Sequence, residues 1–376
     1  MLNKFRGTLL GAVVGDCIGG IQETMSLPIP FAEVASRSDP LSLRSKLVRS
    51  GDRHIFRYSA DTLAIFSASR TLMKVRSGEI DPSNIELEFR SNLFAALQRR
   101  SGVFKAPSTG VLAAEIEHGN SFDPSKYNFQ GNCSVVRAIP CGLLDPAMAP
   151  RLAAATHTHA SASDYSRYLA GMIQDTMYSK SPTLSKNSSP LTIAQALASL
   201  KAEDEEEGTE IQEAFARRIG KNASASVAVA AGYFGFLKAL KLSLEDAPKF
   251  EFPKHLKELR AEDRPVNLMG NSNRLDSSRA LDRESAFAYK ESPVAVAINW
   301  AVSLGGDTRT NACIAGALAG GFWGEQEIPD VWRMFCEGTT EAVEISDLLH
   351  GLKKEVEHEV GENSETLGTV QHHKLH

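Results

Sequence analysis

Residues 303–324, SLGGDTRTNACIAGALAGGFWG, lead a Gly-Gly-Asp-Thr-Arg-Thr loop into a run of small residues. Gly316, Gly320 and Gly324 stand four apart beside Ala315 and Ala319, so on an α-helix the bare positions share one face. An interior glycine costs about 1 kcal/mol relative to alanine, so a row of them predicts a close approach by another backbone or a ligand. The N-terminal stretch FRGTLLGAVVGDCIGG, residues 5–20, repeats the spacing with Gly7, Gly11, Gly15 and Gly19. The two ridges are expected to meet or to floor a site together. Asp16, Asp307 and Arg309 argue against reading these small-residue repeats as membrane packing motifs.

Working outward, the rest of the chain reads as mostly helical with long connections. Helical periodicity marks 62–75, 85–100, 165–179, 190–202, 223–242, 294–304 and 341–357, whereas alternating strand patterns are scarce. The acidic run EDEEEG, 203–208, reads as a solvated loop. A polar, weakly periodic stretch near 244–292 reads as an insertion. The expected organisation is one domain over 1–352 and a disordered tail over 353–376, where His372, His373 and His376 belong to a frayed end.

The chain has 376 residues, 42% hydrophobic and 23% charged, as in an ordinary globular protein, with a net charge of −5. That balance gives no electrostatic reason to expect direct nucleic-acid binding. No stretch approaches the roughly 20 apolar residues of a membrane helix, so no membrane partner is expected. The five cysteines are scattered without a C-x-x-C pair, which fits reduced thiols and a cytoplasmic or nuclear setting; mitochondrial import is the less favoured reading. Cys17 and Cys313 read as small core residues. Lys4 and Arg6 before TLLGAVVG mimic a signal peptide, but Asp16 and the cysteine usage argue against export.

Four polar clusters interrupt apolar helices: Gly15-Asp16 with Glu23 downstream, Tyr58 through Thr62, Gly131-Asn132 through Arg137, and Gly306 through Thr310. Taken singly, each reads as a helix cap, worth about 1 kcal/mol. Together, Asp61, Asp307, Glu23, Ser59 and Thr310 supply the carboxylate and hydroxyl oxygens that hard cations such as Mg²⁺ take, and no zinc-type His/Cys set competes.

The ordered series LLGAVVGD, YSADT, GNCSVVRAIP, THASA and SLGGDTRT followed by AGALAG resembles the ADP-ribosylglycohydrolase family, especially its ADP-ribosylhydrolase 3 branch, over most of residues 3–350. The resemblance implies an all-α fold, a compact orthogonal multi-helix bundle with a central cleft. It also implies two Mg²⁺ ions and hydrolysis of ADP-ribosyl bonds to serine, to an O-acetyl group or to another ADP-ribose. It assigns Glu23 to gating or polarising the reaction, and Ser59, Asp61, Asp307 and Thr310 to the metals. Gly131, Asn132 and Arg137 fall beside the substrate, and His159 near its phosphates. Phe129 or Tyr127 is left as an adenine stacker, with core packing as the equal alternative. His157 is expected at the surface. ADP-ribose or an ADP-ribosylated protein is the implied partner, and a monomer the expected state.

Two positions depart from the family pattern: Ala60 and Arg309 stand where metal-binding aspartates are expected. The local formal charge rises by about +3, and each unit-charge contact near 4 Å is worth about 4 kcal/mol at an effective dielectric of 20. One Mg²⁺ or none is therefore expected. Arg309 is expected to contact substrate, or to fill the vacated metal position by pairing with Asp61 and Asp307. Three readings stay open: a weakened hydrolase, an ADP-ribose-binding pseudoenzyme and a crystallin-like structural protein.

Overall fold

The computed structural model describes residues 1–21, 31, 34–35, 38, 48–50, 53–100, 102–103, 107–129, 131–178, 224–244 and 292–372. Glu23, the candidate helix 190–202, the acidic run and nearly all of the 244–292 insertion lie outside them.

Two helices form the axis of the molecule, α1 (Leu2–Gly19) and the helix built from the opening stretch, Thr308–Trp323. They pack along their whole lengths, and the glycine ridges are the reason. A Cβ on Gly7 would overlap the carbonyl of Gly320, one on Gly11 that of Gly316, and one on Gly15 that of Ala312. With no side chains between them, the backbones touch, and α1 is buried on nearly every side from Phe5 to Gly19.

Among the described residues the helices after α1 are, in chain order, α2 (Ala60–Arg76), α3 (Ile85–Gln98), α4 (Pro107–Glu117), α5 (Cys133–Val136), α6 (Ala138–Leu144), α7 (Ala149–Ala154), α8 (Ala160–Tyr178), α9 (Ala225–Leu244), α10 (Pro293–Ser303), α11 (Thr308–Trp323, the partner of α1), α12 (Asp330–Phe335) and α13 (Thr339–His372). On one flank α9 and α10 pack on each other and on α11; on the other, α13 covers α1 and α2, while α6 and α7 pack on α8. The all-α expectation holds. A short antiparallel ribbon, β1 (Val48–Ser50) with β2 (Arg53–Ile55), precedes α2. The last helix runs through the expected domain end at 352 without a break.

Local sequence sets the ends that matter. Ser59 caps α2, its hydroxyl accepting from the Asp61 amide, and Asp61 lies in the positive first turn while Lys74 and Arg76 lie in the last. Gly305 and Gly306 both adopt positive φ, 74° and 70°, which only glycine does cheaply, and so turn the chain sharply from α10 into α11. Phe56 bridges the turn after α12: its amide donates to Phe335 O at 2.7 Å, and the Glu337 amide donates to Phe56 O at 3.0 Å. That bridge fixes the segment Arg57-Tyr58-Ser59 leading into α2.

Candidate functional site

The start of α2, the start of α11 and the C-terminal end of α1 converge. Thr308 Oγ1 donates to Gly19 O at 2.8 Å, joining the head of α11 to the tail of α1. Asp307 caps α11, its Oδ1 accepting from the Thr310 amide at 3.2 Å, and the Thr310 hydroxyl donates to Asp61 Oδ2 at 2.5 Å. A third element joins through Asn132, whose Nδ2 donates to Asp307 Oδ2 at 2.7 Å. The sequence-assigned residues Asp61, Asp307, Thr310 and Asn132 are therefore one cluster drawn from three distant stretches.

Its electrostatics are those of crowded acids. Asp61 is almost wholly buried, and desolvation, followed by the charges of Asp307 and Asp16, pushes its pKa up to about 8 against the pull of the Thr310 hydroxyl and Arg309. A cationic charge placed between Asp61 and Asp307 would relieve that repulsion.

Asp16, a lone acid in the apolar α1, proves to be a hub that sequence reasoning did not place among the site residues. Its side chain is fully buried. Oδ2 accepts from the Ser59 amide at 2.8 Å, the Ser59 hydroxyl at 3.1 Å, the Thr62 amide at 3.3 Å and the Thr62 hydroxyl at 2.7 Å. Oδ1 pairs with Arg309 Nη1 at 3.1 Å. The interruption of an apolar helix by one carboxylate was the signal available for finding it. Ser59 is thus already engaged as cap and as donor to Asp16.

Arg309 corrects one expectation. Its guanidinium does not pair with Asp61 and Asp307; Nη1 reaches Asp16 Oδ1, Asp16 O at 3.0 Å and Arg57 O at 3.0 Å. The cause is steric as well as electrostatic, because Gly20 has no side chain and the guanidinium occupies the space a Cβ would take.

The wall behind Asn132 holds a second correction. His157, expected at the surface, is fully buried. The residues before α8 form a turn instead of continuing a helix, so the two histidines of ATHTHASA part company. Burial and then the Arg137 charge lower the His157 pKa to about 3. Arg137 Nη1 donates to Thr156 Oγ1 at 2.8 Å, which sits 2.7 Å from His157 Nδ1; His157 Nε2 lies 3.6 Å from Cys133 Sγ. This buried chain backs the turn that presents Gly131 and Asn132. Arg137 is itself fully buried, stacked over the Phe89 ring at 4.6 Å, a structural position behind the cluster.

His159 is part-exposed at the head of α8, with Nδ1 2.6 Å from Ser161 Oγ, and makes no hydrogen bond to Asp61, Asp307, Thr310 or Asn132. Phe129 is half-buried at the end of a stacked row: Phe122 to Tyr127 at 5.8 Å, Tyr127 to Phe129 at 5.3 Å, then His157 at 5.8 Å from Phe129. Glu23 lies outside the described residues. All five cysteines are free and buried, as expected for Cys17 and Cys313.

Asp61 and Asp307 set two carboxylates beside the Thr310 hydroxyl, oxygen donors of the type hard cations take. Asp61, Asp307 and Thr310 converge from two helix starts, but Ala60 presents a methyl group and the Arg309 guanidinium is committed to Asp16. Among the described residues, no three His, Cys, Asp or Glu side chains form a metal-holding group.

A family model described as ADP-ribosylglycohydrolase matches residues 1–359. ADP-ribosylhydrolase ARH3 of Bos taurus is 24% identical over 370 residues, covering 93% of each chain. ADP-ribosylhydrolase ARH3 of Danio rerio is 25% identical over 378 residues, covering 94% of this chain and 91% of its own. A solved structure described as an ADP-ribosylglycohydrolase-related protein complex superposes with a TM-score of 0.51 at 16% identity, covering 94% of this chain and 98% of that one, and shows the shared fold. No helix among the described residues is long and apolar enough to cross a membrane.

Proposed function

The chain belongs to the ADP-ribosylglycohydrolase family, and from that premise we propose that it recognises ADP-ribosyl groups and hydrolyses their glycosidic bond at a centre holding one divalent cation, Mg²⁺ by preference. The observation that carries this reading is the convergence of Asp61, Asp307, Thr310 and Asn132 at the mouths of two helices.

Asp61, Asp307 and Thr310 would hold the ion, which supplies charge stabilisation and orientation for the ribose hydroxyls. Asn132 fixes the Asp307 carboxylate by its 2.7 Å hydrogen bond, and Thr310 fixes that of Asp61. Both acids are thus oriented before ligand arrives, the preorganisation on which an oxocarbenium-like transition state depends. Glu23 is the family candidate for proton transfer at the anomeric carbon. Phe129, at the end of the stacked row, is the candidate stacker for adenine, and His159 offers a polar group to the phosphates. The ligand class is ADP-ribose or an ADP-ribosylated protein, with serine-linked ADP-ribose the first linkage to test.

A second reading, binding without cleavage, is favoured by one observation: Ala60 and the committed Arg309 leave two acidic ligands where the family pattern has four. Release of free ADP-ribose from an ADP-ribosyl-serine peptide, with Mg²⁺ and with chelator, separates the two. Magnesium-dependent release lost in Asp307→Asn supports hydrolysis. Tight ADP-ribose binding with no release establishes the second reading, and absence of both binding and release refutes the proposal.

A further inference from the structure

We propose that the Arg309 guanidinium is an internal cation, seated in a cage of three oxygens that would otherwise suit a bound ion, and that it positions the start of α2 through Asp16. The role as a positioning residue rests on the proposed function; the cage itself does not.

A single nitrogen, Nη1, meets Asp16 Oδ1 at 3.1 Å, Asp16 O at 3.0 Å and Arg57 O at 3.0 Å. Nη1 carries two hydrogens and faces three acceptors, so the contact is governed by charge as much as by directed hydrogen bonds. One carboxylate and two main-chain carbonyls are also the oxygen types that hard cations collect. The Arg309 side chain is only 14% exposed and that of Asp16 0%, so the pair is shielded from water. An unpaired carboxylate in that place would be strongly disfavoured.

The room for this arrangement is specific. A Cβ on Gly20 would fall 2.6 Å from Nη1 and overlap the rest of the guanidinium, while Gly20 itself has ordinary helical φ of −64° and needs no glycine for its backbone. Its bareness is thus explained by Arg309. The effect reaches the candidate site through Asp16, because the opposite oxygen holds Ser59 and Thr62, the residues on either side of Ala60-Asp61. An uncompensated Asp16 would loosen the turn that aims Asp61 at Thr310.

The test is chemical rescue on the full chain, read by thermal unfolding without ADP-ribose. Arg309→Ala is expected to lower Tm by roughly 5 °C or more, as for a buried pair broken on one side. Guanidinium chloride at about 10 mM, far below denaturing concentrations, should restore at least half of that loss, and sodium chloride at equal ionic strength should not. The wild-type protein should respond to neither. Equal effects of the two salts would overturn the proposal. A double-mutant cycle keeps it testable if Arg309→Ala does not fold: Gly20→Ala should cost less when combined with Arg309→Lys than alone, because the slimmer ammonium vacates the contested space. Additive costs would also overturn it. Neither reading involves ADP-ribose, so a protein without hydrolase activity can still pass, and failure here leaves the hydrolase test standing.

Discussion

Thr310 and Asp61 stand 249 positions apart in the chain, yet the hydroxyl of the first donates to Oδ2 of the second at 2.5 Å. The Thr310 amide simultaneously donates to Asp307, so one residue ties both candidate cation ligands together.

Thr310→Val keeps the shape and removes the hydroxyl. Loss of this hydrogen bond to a buried carboxyl is expected to cost about 1–3 kcal/mol of stability. Divalent-cation affinity should fall about tenfold, of the order seen when groups that orient ligands are removed. Mn²⁺ titration followed by electron paramagnetic resonance, beside denaturant unfolding, checks both.

Asp61 should impose a pH dependence on the chelated protein. Its folded pKa of about 8 lies above the ordinary aspartate value of 3.8, so in the window between them the folded state holds a proton that the unfolded state has lost. Stability from this group is complete below about pH 4 and falls as pH rises towards 8, by up to about 1.4 kcal/mol per pH unit. Urea unfolding between pH 5.5 and 7.5 in EDTA measures the slope. Asp61→Asn should flatten it, and so should saturating Mg²⁺, which keeps the carboxylate ionised.

The glycine ridge allows a paired test. Gly316→Ala drives a Cβ into the Gly11 carbonyl and should cost about 4 kcal/mol or more, or abolish folding, because two backbones must separate. Gly171→Ala, inside α8 with nothing within 4 Å of the new Cβ, should stabilise by about 0.5–1 kcal/mol. Thermal unfolding of the two variants side by side reads the contrast.

The ridge is also what made the fold legible. Glycines four apart call for a close approach by a backbone or a ligand, and a second row with the same spacing made contact between α1 and α11 one of the two expected outcomes. Asp61, Asp307 and Thr310 stood out because capping-type residues clustered at helix starts, whereas Asn132 was placed beside the substrate by the family resemblance. The orientation of side chains was not legible. Arg309 was expected either to contact substrate or to pair with Asp61 and Asp307, but its direction depends on Gly20, a residue without chemistry of its own. His157 was misplaced because its burial depends on the turn before α8 and on Arg137, whose own burial no local pattern announced. The short helices between Cys133 and Ala154 escaped notice because, at four to seven residues, they span too few turns to show a period.

Asn132→Asp should weaken the cluster more than Asn132→Ala. The alanine variant loses one donor to Asp307, whereas the aspartate variant sets a carboxylate 2.7 Å from another, at a cost of about 1–3 kcal/mol in divalent-free buffer. Added Mg²⁺ should recover more stability in the aspartate variant than in the alanine variant, which differential scanning fluorimetry over a cation series resolves.

The most direct measurement is calorimetric titration of the wild-type protein with ADP-ribose, in Mg²⁺ and in EDTA. The expected result is one binding site that weakens at least about tenfold on chelation, a coupling of about 1.4 kcal/mol between ligand and cation. Equal affinity in both buffers, or no binding in either, would contradict an ADP-ribose site built on Asp61, Asp307 and Thr310.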